Sequence, residues 1–222
     1  MMAGALPTPP GAVLWDLDGT LADSLAPHWV AWRETMLREF ERITYEQFLQ
    51  SFGKRNDLIL REWLGDDITA ERIQRIGDAK EARYREIIAR EGLTPLPGAR
   101  DWVLRLAAGG WRQAIASSAP RANIEAAMRA LDFSGCFQTS VGAEDVTAGK
   151  PDPEIFLRAA AGLATAPDRS IVVEDAAAGI EAARRAGMRS IGVNAGGDLP
   201  ADIAVRSLVD LPANAFRTLL GT

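Results

Sequence analysis

A doubly wound parallel α/β sheet, interrupted after its first strand by an all-helical insert, is the fold this sequence predicts. Three observations predict it. Beyond residue 98 short apolar runs alternate with stretches of helical period. Those runs are apolar almost throughout rather than at every second position, as in strands covered on both faces. Between residues 26 and 92 no strand pattern occurs at all.

The elements follow in order. Ala12–Asp16 (AVLWD) reads as a buried strand, and Pro27–Phe40 as a helix, because Trp29, Trp32, Met36 and Phe40 recur at three- and four-residue steps. Helical period continues through TYEQFLQSF, NDLILREWL and TAERIQRIGDAKEARYREIIAREG. The stretch GLTPLPG is punctuated by two prolines and two glycines and reads as a linker. Ala99–Ala108 then reads as helix, Gln113–Ser117 as strand, Ala122–Leu131 as helix and Phe137–Val141 as a short strand. Pro153–Ala161 reads as helix, Ser170–Asp175 as strand, and Ala176–Ala186 as helix with Gly187 as its C-cap. Ser190–Asn194 is a further strand and Ala213–Leu220 a last helix. The division expected is a Rossmann-like core domain from residues 1–24 and 94–222, carrying a helical cap domain from residues 25–93. The insert leaves and returns at the C-terminal end of the first strand, the edge at which open parallel sheets bind ligands. A lid there could exclude water and select substrate.

The bulk properties narrow the class. The chain has 222 residues, enough for a sizeable core, and a net charge of −5. That balance argues against a general nucleic-acid binder but leaves room for a small phosphate ligand in a local positive pocket. The single cysteine, Cys136, forbids an internal disulfide and suits burial in a reducing compartment. No basic and apolar leader appears in MMAGALPTPPG, and no run reaches the roughly 18 apolar residues of a membrane helix, so a cytoplasmic protein without membrane partners is expected, monomeric or weakly dimeric.

Polar residues gather at the strand ends. Asp16 ends the first strand, with Asp18 two residues on; Ser117 ends QAIAS; Glu174 and Asp175 end SIVVED; Lys150 opens the turn GKPDPE. Taken singly, each has an ordinary reading: a turn aspartate, a helix-start serine, a solvated lysine. GKPDPE is no P-loop, since Pro follows the lysine. Together, in a doubly wound sheet, they converge on one crevice. Carboxylates crowded there repel one another unless they share a cation, and an oxygen donor set without His or Cys suits Mg²⁺. Ser117 and Lys150 suit phosphoryl oxygens.

DLDGT, ASSAP, GKPDPE and VVEDAAAGIEAARRAG resemble, in order, the four motifs of the haloacid dehalogenase superfamily, and the insert resembles its helical cap. Within that superfamily the chain is similar to the group of β-phosphoglucomutases and small sugar-phosphate phosphatases. The resemblance implies a nucleophile at Asp16, a general acid and base at Asp18, and a phosphoryl group held by Ser117, Lys150 and the backbone that follows, Ser118 included. It implies Mg²⁺ on the Asp16 carboxylate, the Asp18 backbone carbonyl and Asp175, with Glu174 close by. Asp18 must then carry a proton when it acts as acid, which a neighbouring negative charge would favour. A second acid at position 18 sets the chain apart from the dehalogenases themselves.

Mutase and phosphatase share these residues and differ in the final acceptor, a sugar hydroxyl or water. His28 in HWVAW, Lys80 in AKEARYRE and Arg55 in FGKRND fall where mutases carry cap residues. On spacing alone His28 reads as a solvent-facing helix start and Lys80 as a surface residue of a charged helix. The cap loop departs from the mutase pattern Gly-Val-Ser-Arg, reading Gly53-Lys54-Arg55-Asn56, although Lys54 and Arg55 still make a basic tip. The expectation is a Mg²⁺-dependent phosphatase acting through an aspartyl-phosphate on a small phosphorylated metabolite, a sugar phosphate. The alternative is a β-phosphoglucomutase-type mutase, and a non-catalytic binding module is the remote one.

Overall fold

A computed structural model describes residues 9–133, 135–194 and 196–221. Most of the segment MMAGALPTPPG, residues 1–8, lies outside them. Strand β1 (Ala12–Trp15) is followed by helices α1 (Leu25–Arg38), α2 (Tyr45–Ser51), α3 (Asn56–Leu64) and α4 (Ala70–Glu91). Then come α5 (Ala99–Ala108), β2 (Arg112–Ala116), α6 (Arg121–Leu131), β3 (Thr139–Val141), α7 (Glu154–Gly162) and β4 (Ser170–Glu174). The chain closes with α8 (Ala177–Arg185), β5 (Arg189–Val193), β6 (Ile203–Val205) and α9 (Ala215–Leu220). Element bounds differ from the sequence reading by no more than two residues at either end, Phe137–Val141 shortening to β3. Strand β6 was not anticipated: three residues long and only partly buried, it lacks the continuous apolar run that marks the inner strands.

Every strand pair is parallel, in the order β3-β2-β1-β4-β5-β6. The connections from β1 run outward through β2 to β3, then return across the sheet to β4, so the switch point lies between β1 and β4. Trp15 stands opposite both Ile115 and Val173, which brings Asp16 level with Glu174 and near Ser117.

Strand periodicity assigns the two faces. Val13 and Trp15 join Ile115, Val173, Trp102 of α5 and Phe216 of α9 on one side. Ala12 and Leu14 join Ala114, Val172, Phe156 of α7 and Ala183 of α8 on the other. Cys136 is buried in the first cluster, as its position suggested. Trp102 and Trp111 are buried as well, and Trp63 packs edge-on against Trp32 at 4.9 Å.

One polar network crosses the first face. Trp15 Nε1 donates to the Gln113 side-chain oxygen at 3.0 Å, and Gln113 Nε2 donates to the Val103 carbonyl at 3.0 Å. Gln113 is fully buried, so these bonds are what permits an amide inside a strand core.

Helices α1–α4 have an apolar cluster of their own, around Trp32, Met36, Phe48, Leu60 and Ile76. Thr44 opens α2 with a capping box, its Oγ1 accepting from the Gln47 amide at 3.1 Å while Gln47 Oε1 accepts from the Thr44 amide at 2.8 Å. Thr69 caps α4 by accepting from the Arg72 amide at 3.2 Å. The two passages between this layer and the sheet run side by side. The Asp23 amide donates to the Thr94 carbonyl, and the Leu96 amide to the Leu21 carbonyl, both at 2.9 Å, flanking an antiparallel bridge between Ala22 and Pro95.

Replacing Gln113 by Leu strips the Trp15 indole of its acceptor inside the core. The expected cost is about 2–3 kcal/mol. It would be read as a lowered urea midpoint with unchanged m; a midpoint equal to the wild type's would show that the network contributes nothing.

Candidate active site

The floor of the site is set by β1 and β4. The Asp16 amide donates to the Val173 carbonyl at 3.0 Å, continuing the ladder one residue past β1 and fixing where its side chain leaves the sheet. Asp16, Glu174 and Asp175 each offer a carboxylate oxygen, all within 4.8 Å of one another. Lys150 reaches in from the turn before α7, its Nζ 2.6 Å from Asp16 Oδ1 and 2.5 Å from Glu174 Oε1. The Phe156 ring lies 5.2 Å from the same ammonium.

Charge crowding shows in the protonation equilibria. Burial pushes the Asp16 carboxyl up to about 7, with Glu174's charge adding to it and Lys150 pulling against it. Asp175 is also raised well above the carboxylate range, by burial and by the charges of Glu174 and Asp16. Against burial, which would lower it, the Lys150 ammonium is held above its ordinary value by the two carboxylates it bridges. One lysine therefore leaves the cluster short of positive charge.

The backbone is shaped around these groups. Gly19, at φ +87°, lies where an added Cβ would stand 2.3 Å from Asp175 Oδ2. A Cβ on Gly179, in the first turn of α8, would stand 2.1 Å from the Glu174 carboxyl. Three converging carboxylates, two of them strained towards the neutral form, in a cradle with no space for side-chain carbon, fit a hard divalent cation. Ser117 is buried beside them, its Oγ accepting from the Ala119 amide at 3.1 Å, and Ser118 lines the same cavity.

Asp18 does something else. Its Oδ1 lies 3.2 Å from His28 Nε2, outside the acidic triad. Burial pulls its carboxyl upward, but the His28 charge and hydrogen bond, with Lys80 further off, outweigh this and hold it below the usual range. The expected proton-bearing Asp18 is therefore not what this conformation favours: its nearest side-chain partner is the His28 imidazole, not a second carboxylate.

His28 is not a solvent-facing helix start. It is buried, stacked on Tyr84 at 3.9 Å with the rings 8° from parallel, and set edge-on to Phe52. Lys80 is not a surface residue either: it is 3% exposed, its Nζ 2.9 Å from Glu81 Oε1 and 5.1 Å from the centre of the Trp32 ring. Both sit on four-residue lines of buried side chains, His28–Trp32–Met36 in α1 and Ile76–Lys80–Tyr84–Ile88 in α4. That spacing is the signal that places them inside.

Asp16, Asp18, Lys150, Ser117 and Arg55 all border one cavity of about 380 Å³ between the sheet edge and the helical layer. Lys54 reaches the same cavity but is half exposed and paired with Glu62 at 2.6 Å. Arg55 Nε donates to Asp57 at 3.1 Å. Lys80 does not border the cavity among the described residues; Glu81, which the sequence reading passed over, does. Glu81 is buried and accepts at Oε1 from Lys80 and from Asn56 Nδ2, at 2.9 and 2.7 Å, and at Oε2 from Asn123 of α6.

The comparisons with known proteins agree with this geometry. Residues 13–193 match the family model described as haloacid dehalogenase-like hydrolase. Protein CbbY of Rhodobacter capsulatus is 34% identical over 81% of this chain and 83% of its own length. Hexitol phosphatase A of Escherichia coli is 35% identical over 88% of this chain and 90% of its own. The crystal structure of β-phosphoglucomutase from Clostridium difficile superposes with a TM-score of 0.85 at 26% identity, covering 95% of this chain and 97% of that one. Proteins similar to it thus include both a phosphatase and a phosphoglucomutase, and the chain belongs to the haloacid dehalogenase-like hydrolases.

Proposed function

We propose that this protein is a Mg²⁺-dependent phosphatase acting on a small phosphorylated sugar or polyol. The observation that carries the reading is the meeting of Lys150 and Ser117 with the acidic triad Asp16, Glu174 and Asp175 in one cavity roofed by helices. Asp16 attacks phosphorus, the bond to the leaving oxygen breaks, and the phosphoryl group rests on Asp16. Asp18 gives the leaving oxygen its proton. Water then attacks the aspartyl-phosphate, Asp18 takes the proton, and phosphate departs with Asp16 restored. Lys150 and Ser117 hold the phosphoryl oxygens, so that Lys150 exchanges its present carboxylate partners for the incoming anion. Asp16, Asp175 and the Asp18 backbone carbonyl would hold Mg²⁺, with Glu174 beside it; when bound, it offsets the charge that Lys150 alone leaves uncompensated.

The Asp18–His28 contact bears on timing. As acid, Asp18 must be turned from His28 with a proton on it; as base in the second half, it is already the carboxylate that His28 stabilises. A β-phosphoglucomutase-type mutase is the second reading, favoured by this same contact. The phosphatase is preferred because the cap loop Gly53-Lys54-Arg55-Asn56 departs from the Gly-Val-Ser-Arg pattern of the mutases, and because at the roof tip Lys54 is held by Glu62 at 2.6 Å.

Hydrolysis of p-nitrophenyl phosphate should require Mg²⁺ and fall at least about 1,000-fold in Asp16→Asn. Retention of turnover in that variant would remove Asp16 as nucleophile. Given β-glucose 1-phosphate and a trace of bisphosphate, the enzyme should release free phosphate without forming glucose 6-phosphate; accumulation of glucose 6-phosphate would establish the mutase. The pH response of stability follows from the raised carboxyls. Their folded-state values lie above the unfolded 3.8, so the folded protein binds more protons than the unfolded chain from about pH 4 to about 7, and stability falls as pH rises through that window. A cation that binds the ionised triad reverses this loss. The rise in Tm on adding Mg²⁺ should therefore be larger at about pH 8 than at about pH 5. An equal rise at both would show that the cation does not bind there.

A further inference from the structure

We infer that Glu81 is the residue that reads the far end of the substrate, admitting a hydroxyl-bearing end and rejecting a second phosphoryl group. The inference rests on the phosphatase reading and deepens it. Three observations support it.

First, the wall of the cavity carries the carboxylate and not the ammonium of this adjacent pair. Glu81 borders the main cavity, while Lys80 lies behind it against the faces of Trp32 and Tyr84. An anion entering from the sheet side meets the negative member first. Second, the Glu81 carboxylate is held rather than free to swing away. Asn56, from the start of α3, and Lys80 fix Oε1; Asn123, from α6 beneath, fixes Oε2, and Asn123 is itself oriented by Arg85 Nη1 at 2.7 Å. A fixed charge in a dry wall repels a like charge far more strongly than a solvated one does. Third, Glu81 keeps acceptor capacity. Each carboxylate oxygen accepts two hydrogen bonds, and among the described residues Oε2 has one donor, so a substrate hydroxyl can be received there. Glu81 also borders a second cavity, of about 510 Å³, between α4 and α6.

The chemistry sought is thus a phosphate monoester whose remote end bears neutral hydroxyl groups. Asp16, Lys150 and Ser117 line the cavity on the sheet side, and Glu81 lines it on the helical side. A bisphosphate would place its second dianion against a buried carboxylate whose neutralising lysine it cannot reach.

The test uses p-nitrophenyl phosphate turnover as reporter, with glucose 6-phosphate and glucose 1,6-bisphosphate as competitors. In the wild type the monophosphate should inhibit more tightly than the bisphosphate. In Glu81→Gln, which keeps the shape, the ratio of the two inhibition constants should move at least about tenfold in favour of the bisphosphate, as expected when one buried like charge is removed. Because Glu81→Gln leaves Lys80 buried without its partner, the double variant Lys80→Met/Glu81→Gln removes the pair together. It should move the ratio in the same direction by at least about fivefold. A ratio within about twofold of the wild type's, in either variant that still hydrolyses the reporter, overturns the inference and leaves the phosphatase reading standing. A wild type that inhibits equally with both competitors overturns it too. Failure of the wild type to hydrolyse the reporter with Mg²⁺ overturns both.

Discussion

Three carboxylates that cannot escape one another are the constraint from which the rest of this structure follows. Asp16, Glu174 and Asp175 are brought together by strand register, in a place from which water is largely excluded. Left alone, they would take up protons or push the sheet edge apart. Lys150 supplies one positive charge to the cluster, and its two short contacts are the direct expression of that demand. On the proposed reading, the charge still missing would draw a cation, and cation and lysine together would draw a phosphate dianion. Folding alone leaves this excess of negative charge incompletely neutralised.

The roof answers the floor with a different electrostatic scheme. Three of its basic residues have acidic partners within the roof: Lys54 with Glu62, Arg55 with Asp57, Lys80 with Glu81. Charge there is largely locally compensated, in contrast to the sheet edge. Aromatic packing stiffens this side. His28, Tyr84 and Phe52 form one stack-and-edge arrangement around the residue that holds Asp18.

The sheet was legible in the sequence wherever burial on both faces made a strand apolar throughout, as in AVLW and SIVVE. It was illegible at Ile203–Val205, where an edge strand half open to solvent lacks that mark. The floor residues could be found because each closes a strand or opens a turn, so chain position alone predicts convergence. Residues on the roof could not be read the same way. Helical period gives a side chain's phase, but not which distant segment it will face. Lys80 shows the difficulty: its phase is that of Ile76 and Tyr84, its chemistry that of a surface residue, and only Glu81 and Trp32 reconcile the two. Glu81 escaped notice because its donors, Asn56 and Asn123, lie 25 and 42 residues away.

The paired passages between roof and floor have a mechanical consequence. Two separate tethers would let the helical layer twist as well as tilt; a hydrogen-bonded ribbon bends easily across its plane and resists torsion. The ribbon is also continuous with the loop that carries Asp18, since Ala22 bridges to Pro95 on one side and to Asp18 on the other, and its carbonyl accepts from the Gly19 amide at 3.0 Å. Any tilt of the roof about this ribbon would load the short segment that carries Asp18.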